Sequence, residues 1–580
     1  MSNNTDEGRI QINIEGDPGD INETTGRAII AAVAEHVGQP VDLVAGDGTK
    51  VGSHDDEPEW AGEEVEMTDR EKDLRDDIAE IMKGGPERGH EKIDELGKVF
   101  VRDRLDMIFD EIQYEDGTFA AHGAEDKLAA DGLITGVGTI NGRKVFFSAH
   151  DYTVKAGSLG MMGTEKEIRM SERAVEVGAP FLRLIDSTGA RLNADDMEPG
   201  DTHAGRYRGG KQFYNQCIHS GQVPQIGVLY GPDIAGSAYT PVFSDYLLMV
   251  EEISGMAIAA PRVVKEMTGE EIDMQSLGGP DVHAKHSGSC EVVVPDEETA
   301  AEEVRDLISY LPQTHDAQLP TTEPRKPENN PERLDEVIPE HPQKPYDVRK
   351  AIKHIVDGDS WFELHEKFAR EMVTGFARMG GRPVGIVANQ PARKAGAIYP
   401  DSSEKAAGFI WKCDAWGIPL IYLCDTPGFM IGSKVEKDGV LQKGRKFIYA
   451  TSNAQVPKLS VLTRKAYGAG IYAMCGPSFA PDSTLALPSA ELSVMGPDAI
   501  VSALFGDKLE DMEEEEREEF EAAAKAEYEK YVDIKKQASK MQVDELVPAG
   551  DLREQLERRL DVYKNKERDP VDRHHGTVFF

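Results

Sequence analysis

Apolar and polar positions along this chain fall into two textures. Short apolar runs bounded by Gly, Pro and Asn-Gly mark strands, and longer charged stretches with apolar positions three and four apart mark helices. Residues 10–14 alternate and predict a strand, residues 28–36 have helical texture, and residues 41–44 predict a second strand before Gly46-Asp47-Gly48. An acidic run over residues 55–66 reads as a linker. Residues 1–65 are therefore either a small appended β–α–β module or a partly ordered tail, with nothing catalytic in them. Residues 69–111 are charged and helical, broken at Gly84-Gly85-Pro86, with Ile93, Leu96, Val99, Leu105 and Ile108 as a face that packs on a larger body. Sheet signals follow. Asn141-Gly142 between the apolar runs 133–140 and 145–147 predicts a two-residue hairpin. A helix over 165–177, a strand over 181–185 and a strand over 226–229 come next, each strand ending in glycine-containing turns.

The second half repeats this pattern. An offset of 239 residues (374 minus 135) places Thr135-Gly136 on Thr374-Gly375, Gly142-Arg143 on Gly381-Arg382 and Lys155-Ala156-Gly157 on Lys394-Ala395-Gly396. The same offset places Glu165-Lys166 on Glu404-Lys405, Pro180 on Pro419, Asp186 on Asp425 and Gly189 on Gly428. After a change of offset, Gln222-Val223-Pro224 matches Gln455-Val456-Pro457, and Ala235-Gly236 falls on Gly468-Ala469. So many agreements under one offset imply a tandem duplication of one α/β unit. The prolines and acids of residues 312–345 read as the connection between the copies, giving domains at 66–330 and 331–580 after the N-terminal segment 1–65.

The candidate chemistry lies in the turns. An apolar strand at 459–462 runs through a basic turn into Gly468-Ala469-Gly470 and then into small apolar residues. Glycine permits close approach of backbone to a ligand, and a helix starting there would present unpaired N–H groups and the positive end of its dipole. Amides so presented suit an oxygen that gains negative charge. Taken alone, Gly-Ala-Gly is equally a tight packing turn, but each copy offers two such turns: Thr188-Gly189 with Ala235-Gly236, and Gly428-Phe429 with Gly468-Ala469-Gly470. Two copies make two oxyanion sites, which suits a reaction whose two partners both carry a carbonyl.

Composition narrows the field. The chain has 580 residues, and 105 acidic against 65 basic residues give a formal charge of -40, which argues against nucleic acid as a partner. The charge fits either a salt-rich cytoplasm or an ordinary acidic enzyme. Cys217, Cys290, Cys413, Cys424 and Cys475 are odd in number and without CxxC spacing, so they read as reduced thiols. No signal segment opens the chain and no apolar run is long enough to span a bilayer, so a cytoplasmic protein is expected. No Ser/His/Asp triad, P-loop or metal-ligand motif stands out. His150, His203, His219 and His283 are acid–base candidates by type, and structural by default.

Long motifs carry a resemblance. LRLIDSTGAR (182–191), GPDIAGSAYTP (231–241), SLGG with HAKHSG (276–288), YDVRKAI (346–352), VTGFARMGGRPVGIVANQP (373–391), DTPGFMIG (425–432), RKAYGAGIYAMCG (464–476), SVMGPDA (493–499) and the closing HHGTVFF lie in order along the chain. From about Gly84 onward the chain resembles the carboxyltransferase (β) subunits of biotin-dependent acyl-CoA carboxylases, the propionyl-CoA, acetyl-CoA and methylcrotonyl-CoA carboxylase group. The resemblance implies an α/β fold of tandem crotonase-like (ClpP/crotonase) domains, each a β-β-α superhelix. It implies carboxyl transfer from N1-carboxybiotin on a carrier protein to the α-carbon of a short-chain acyl-CoA, with CoA against the first half and carboxybiotin against the second half of a neighbouring subunit. The amides near Thr188-Gly189 and Ala235-Gly236 would then hold the thioester oxygen as an enolate. Those near Gly428-Phe429 and Gly468-Ala469-Gly470 would hold the biotin ureido oxygen. The decarboxylated biotin takes the proton, so no protein base is required. The resemblance also implies a hexamer with interfacial sites, and a biotin carboxylase and biotin carrier, using ATP and bicarbonate, on separate chains.

Arg191, Arg206, Arg208 and Lys211 cluster after the Asp186 turn and are the cation candidates for CoA, with solvated loop charges as the alternative. The acyl group stays open. Thr188 stands where propionyl-type members carry glycine, and Ile471-Tyr472 stand where they carry tyrosine and aspartate beside the acyl pocket, whereas Asn215-Gln216 and the 467–476 stretch lean toward the methylcrotonyl type. Residues 509–540 predict a charged, almost continuous helix, either a hairpin or an arm across a partner. Two other readings remain: the α subunit of a membrane-coupled acyl-CoA decarboxylase, and a non-catalytic CoA-binding scaffold.

Overall fold

The computed structural model describes residues 66–123, 128–191 and 209–567, and four short strands before residue 66. The chain forms two units, Met1–Asp77 and Ile78–Phe580. The first carries β1 (Thr5–Asp6), β2 (Arg9–Ile14), β3 (Val41–Ala45) and β4 (Lys50–Ser53), adjacent in that order in one sheet. β2 and β3 run parallel from Ile10↔Val41 to Ile14↔Ala45, the pairing that a β–α–β module requires. Both expected strands are present. The outer strands β1 and β4, antiparallel to their neighbours, are additions to the expectation, and the helix expected over 28–36 and most of the acidic linker lie outside the described residues.

The charged stretch after residue 66 forms three helices. Asp69–Met82 ends before Gly84-Gly85, Glu87–Glu95 begins at Pro86, and Val101–Ile108 follows. Ile93, Leu105 and Ile108 are buried as expected, but Leu96 caps its helix in solvent and Glu111 already belongs to a strand.

The first large sheet contains β5 (Glu111–Asp116), β6 (Leu133–Ile140), β7 (Arg143–His150), β8 (Phe181–Ile185) and β9 (Gln225–Leu229). A short strand β10 (Pro232–Ile234) pairs off-sheet with β12 (Gly255–Ala257), while β11 (Tyr246–Val250) and β13 (Val292–Val294) complete the sheet, in the order β13-β11-β9-β8-β7-β6-β5. The second sheet contains β14 (Phe362–Leu364), β15 (Met372–Met379), β16 (Arg382–Asn389), β17 (Leu420–Thr426), β18 (Lys458–Tyr467), β19 (Ser483–Ala486), β20 (Glu491–Ser493) and β21 (Glu545–Leu546). Its order is β14-β15-β16-β17-β18-β19-β21, with β20 beside the end of β18. From β5 and β14 onward the two orders correspond strand for strand.

The register corresponds as well. Ile140↔Arg143 and Met379↔Arg382 close hairpins whose turn residues all have positive φ (Asn141 52°, Gly142 70°, Gly380 57°, Gly381 77°), the geometry that matches strand twist. Ala149↔Leu184 and Ala388↔Leu423 end the first parallel pairing of each sheet at the same offset of 239 residues. Parallel strands are buried on both faces, which is why β8, β9, β11, β17 and β18 are buried along their whole length. One apolar core takes residues from both halves, with Tyr246, Tyr310 and Phe409 around Phe376. The proline-rich connection is anchored at its end by buried Leu334 and Ile338. The helix expected over 509–540 is interrupted: Pro497–Glu510 and Glu514–Val532 pack together as a hairpin through Phe505 and Phe520, and Ile534–Ala538 follows.

Candidate active site

Parallel strands of each sheet end in loops at one edge, and there the two turns of each half meet beside the loop that follows Lys155–Gly157 or Lys394–Gly396. In the first half the turn Asp186–Ala190 leaves β8. Gly189 has φ 95°, a value that L side chains rarely adopt, and its counterpart Gly428 has φ 115°. Each is braced identically: Gly189 N–H donates to Ser187 Oγ at 3.1 Å and Gly428 N–H to Thr426 Oγ1 at 3.1 Å. Each carbonyl accepts from the Lys-Ala-Gly loop side, Leu159 N–H to Gly189 O at 2.9 Å and Ile398 N–H to Gly428 O at 3.0 Å. Arg191 N–H and Met430 N–H return bonds to Leu159 O and Ile398 O, at 3.0 and 2.8 Å. The residue bracketed by those two bonds, Ala190 or Phe429, turns its own N–H to the opposite side, toward the strand that carries the second turn.

The second turn lies against the first. A Cβ on Gly189 would sit 3.0 Å from Ile234 O and 3.4 Å from Ser237 Oγ. In the second half a Cβ on Gly428 would sit 3.4 Å from Tyr467 O, and one on Gly470 only 2.8 Å from Gly428 Cα. Ala235 holds φ 68° where its counterpart Gly468 has 56°. A non-glycine residue there costs on the order of 1–3 kcal/mol, a strain that marks functional turns. Ala235, Gly236 and Ala469 are exposed, so their backbone edge is open to a ligand. The helix expected after Gly468 is only four residues, Gly470–Ala473, so the local amides, more than a helix dipole, supply the positive potential.

This geometry refines the choice of donors. Thr188 N–H is already engaged by Ala156 O at 3.3 Å, and the position matching Thr188 is Pro427, which has no N–H. The donor that both halves share in the first turn is therefore that of Ala190 and Phe429. Ala190 is the residue that sequence reasoning missed, although the offset that paired Gly189 with Gly428 already paired Ala190 with Phe429.

Each turn rests on a buried carboxylate with two cations. Asp186 meets Lys98 at 2.6 Å and Arg104 at 3.4 Å; Asp425 meets Arg464 at 2.9 Å and Lys465 at 3.2 Å. Beside the first-half turn pair, Tyr239, Val242 and Ile258 are exposed and line a cavity of about 400 Å³ with Ala238 and Met256.

The expected CoA cations separate. Arg191 is turned inward, ion-paired with Asp131 at 2.5 Å and bonded to Ser158 O at 2.8 Å, so it braces the fold and does not face a ligand. Lys211 lies 3.4 Å from Glu172 and over the ring of Tyr214. Arg206, Arg208 and His203 lie outside the described residues. Tyr472 is exposed and stacks on Phe479 at 5.2 Å. The other histidines are occupied by structure: His150 Nδ1 faces Leu184 O, His283 bridges Met256 O and Ser287, and burial lowers the pKa of both and of His219.

The fold is α/β, and the same pair of backbone turns, braced by the same bonds, stands at the sheet edge of each half. The carboxyl transferase domain model matches residues 93–578. An uncharacterized carboxylase, YngE, of Bacillus subtilis is 44% identical over 511 residues, covering 88% of this chain and 99% of that protein. The carboxyltransferase subunit of a propionyl-CoA carboxylase from Haloferax mediterranei is 38% identical over 530 residues, covering 88% and 99%. Among solved structures, the transcarboxylase 12S hexamer with methylmalonyl-coenzyme A and methylmalonic acid bound superposes with a TM-score of 0.82 at 34% identity, covering 89% of this chain and 100% of that one. The chain belongs to the carboxyl transferase family, the carboxyltransferase subunits of biotin-dependent acyl-CoA carboxylases, and is an enzyme of that class. Among the described residues no helix is long and apolar enough to cross a membrane.

Proposed function

We propose that this chain is the carboxyltransferase subunit of an acyl-CoA carboxylase, moving carboxylate from carboxybiotin on a carrier protein to the α-carbon of a short-chain acyl-CoA, propionyl-CoA or acetyl-CoA. The observation that carries this reading is the pairing of turns, present once in each half with the same bracing bonds. It also supports a tandem crotonase-like architecture, one copy for each carbonyl-bearing partner.

In the first half the N–H of Ala190 and the Ala235-Gly236 backbone bind the thioester oxygen. A thioester α-proton is weakly acidic, and each well-aimed amide lowers the barrier to the enolate by roughly 3 kcal/mol. The apolar cavity lined by Tyr239, Val242 and Ile258 takes the acyl or pantetheine part and keeps water from the enolate. In the second half, Phe429 and the Gly468–Gly470 turn offer backbone donors, where the close approach of Gly470 to Gly428 leaves no room for side chains. That donor set fits the neutral ureido oxygen of biotin. Carboxybiotin, when bound, supplies the carboxylate that is transferred. Carrier and biotin carboxylase on separate chains, with ATP and bicarbonate consumed there, and a hexamer with interfacial sites complete the reading.

The test is carboxyl transfer from malonyl-CoA, methylmalonyl-CoA and methylglutaconyl-CoA to free biotin by the purified chain. Transfer from one of the first two establishes the chemistry and the acyl group; transfer from the third alone moves the acyl group to the methylcrotonyl type. CoA binding without transfer from any, and with Gly189→Ala and Ala469→Pro silent, would leave a CoA-binding scaffold.

A further inference from the structure

Asp233 sits in the middle of β10, just before the strained Ala235, and is 1% exposed. Asp186 and Asp425, under the other turn of each half, each meet two cations. Among the described residues no cation stands within salt-bridge distance of Asp233. The charged group that faces it is a second carboxylate, Glu167 of the helix Met161–Val177, itself held by Arg183 at 2.9 Å and Gln212 at 2.8 Å. The strand paired with β10 brings Gly255, Met256 and Ala257 and no charge.

A buried carboxylate without a cation is costly, and such a group keeps its proton instead. Burial accordingly raises the pKa of Asp233 to about 7, opposed by the Ser237 hydroxyl and reinforced by Glu167. Ser237 links the carboxyl to the turns. Its Oγ donates to Asp233 Oδ1, lies 2.9 Å from Ile234 O, and stands 3.4 Å from where a Cβ on Gly189 would sit. Nor is the arrangement shared by the second half. The offset that places Ala235 on Gly468 places Asp233 on Ala466 and Ser237 on Gly470.

The charge of Asp233 bears on what the turn above it can hold. An oxygen gaining negative charge against the Ala235-Gly236 backbone is opposed by a buried anion beneath it, at low dielectric, and not by a neutral acid. We propose that Asp233, linked through Ser237, is a positioning residue of the first-half turn, which holds an oxyanion only while Asp233 keeps its proton. The identity of that oxyanion, a thioester enolate, rests on the acyl-CoA reading above.

The test has two arms, both on the full chain. The first is the pH profile of carboxyl transfer to biotin for wild type, Asp233→Asn and Ser237→Ala, with folding checked at each pH by circular dichroism. Relative to Asp233→Asn, kcat of wild type is expected to fall by about tenfold per pH unit once pH passes about 7, with KM little changed. Ser237→Ala, which removes a donor to the ionised carboxylate, should move that fall to higher pH. The second arm is calorimetric titration with a CoA thioether whose nitronate stands in for the enolate, in two buffers of different ionisation enthalpy. Near pH 8, wild type should take up about one proton more on binding than Asp233→Asn does. Coincident profiles, equal proton uptake, or a nitronate that fails to bind would overturn the inference. If wild type transfers no carboxylate at any pH while the difference in proton uptake persists, the carboxyl-transfer reading falls and the role of Asp233 stands.

Discussion

Lys98 Nζ lies 2.6 Å from the carboxylate of Asp186, directly beneath the first-half turn, with both side chains buried. Asp425, the counterpart of Asp186, is compensated from elsewhere: Arg464 and Lys465 reach it from β18. The position that matches Arg464 is Gly231, where a Cβ would lie 2.2 Å from Asp186 Oδ1 and 2.9 Å from Lys98 Nζ. The two halves thus fill one place under the turn in two ways, by a strand residue in one and by a lysine from the N-terminal helical segment in the other. In both, a buried carboxylate is paired with two cations and holds the turn above it.

Removing one partner of such a pair leaves a buried charge exposed to low dielectric. Lys98→Met is expected to cost about 3 kcal/mol of stability, with Arg104 limiting the loss. The double substitution Lys98→Met/Asp186→Asn should recover part of it. Denaturant unfolding of Lys98→Met, Asp186→Asn and the double variant checks the cycle; equal stability of Lys98→Met and wild type would show that the pair does not hold the turn.

Gly231→Ala follows from the same crowding. The added methyl meets a carboxylate and an ammonium that cannot both retreat, so a loss of about 1–3 kcal/mol is expected. A melting temperature unchanged within error would contradict the packing described.

How much of this was legible in the chain depends on what each signal encodes. Asn141-Gly142 named its hairpin because only residues tolerant of positive φ close a two-residue turn, and Gly380-Gly381 does the same in the second half. The offset that aligned Asp186 with Asp425 aligned the turns and the sheet registers, since identical glycines impose identical backbone constraints. Long-range partners were not legible. Nothing local to Arg191 announces Asp131, sixty residues earlier, so a cation expected at a ligand proved to be a buried brace. Likewise Thr188 looked like a donor until Ala156 O was seen to hold its N–H, and Ala190 looked like a spacer.

The turns themselves give opposite expectations for two small substitutions. At Ala235, glycine relieves the left-handed backbone while adding freedom to the unfolded chain, so Ala235→Gly should change stability by less than about 1 kcal/mol and keep transfer activity. At Gly470, the methyl of Gly470→Ala meets Gly428 Cα at 2.8 Å and displaces the turn that presents Phe429. Carboxyl transfer should fall by about 10²-fold or more, with CoA binding to the first half retained. Steady-state transfer assays on both variants decide the matter.

Asp233 gives the pH dependence. Its carboxyl is buried under Ala235, accepts from Ser237 Oγ and faces Glu167, and burial raises its pKa to about 7. The folded state therefore holds this proton over a range where the unfolded chain has released it. The stability linked to Asp233 is fully present below the ordinary carboxylate range, near pH 4, and is lost as pH rises through about 7. Asp245, half-buried and likewise raised to about 7 by desolvation, adds a contribution of the same sign. Unfolding free energy should therefore fall between roughly pH 4 and pH 7 from these two groups, and Asp233→Asn should remove about half of that slope. Because Asn still accepts from Ser237, the turn keeps its shape. A wild-type and variant pair with the same pH slope in chemical denaturation would show that Asp233 is ionised in the fold.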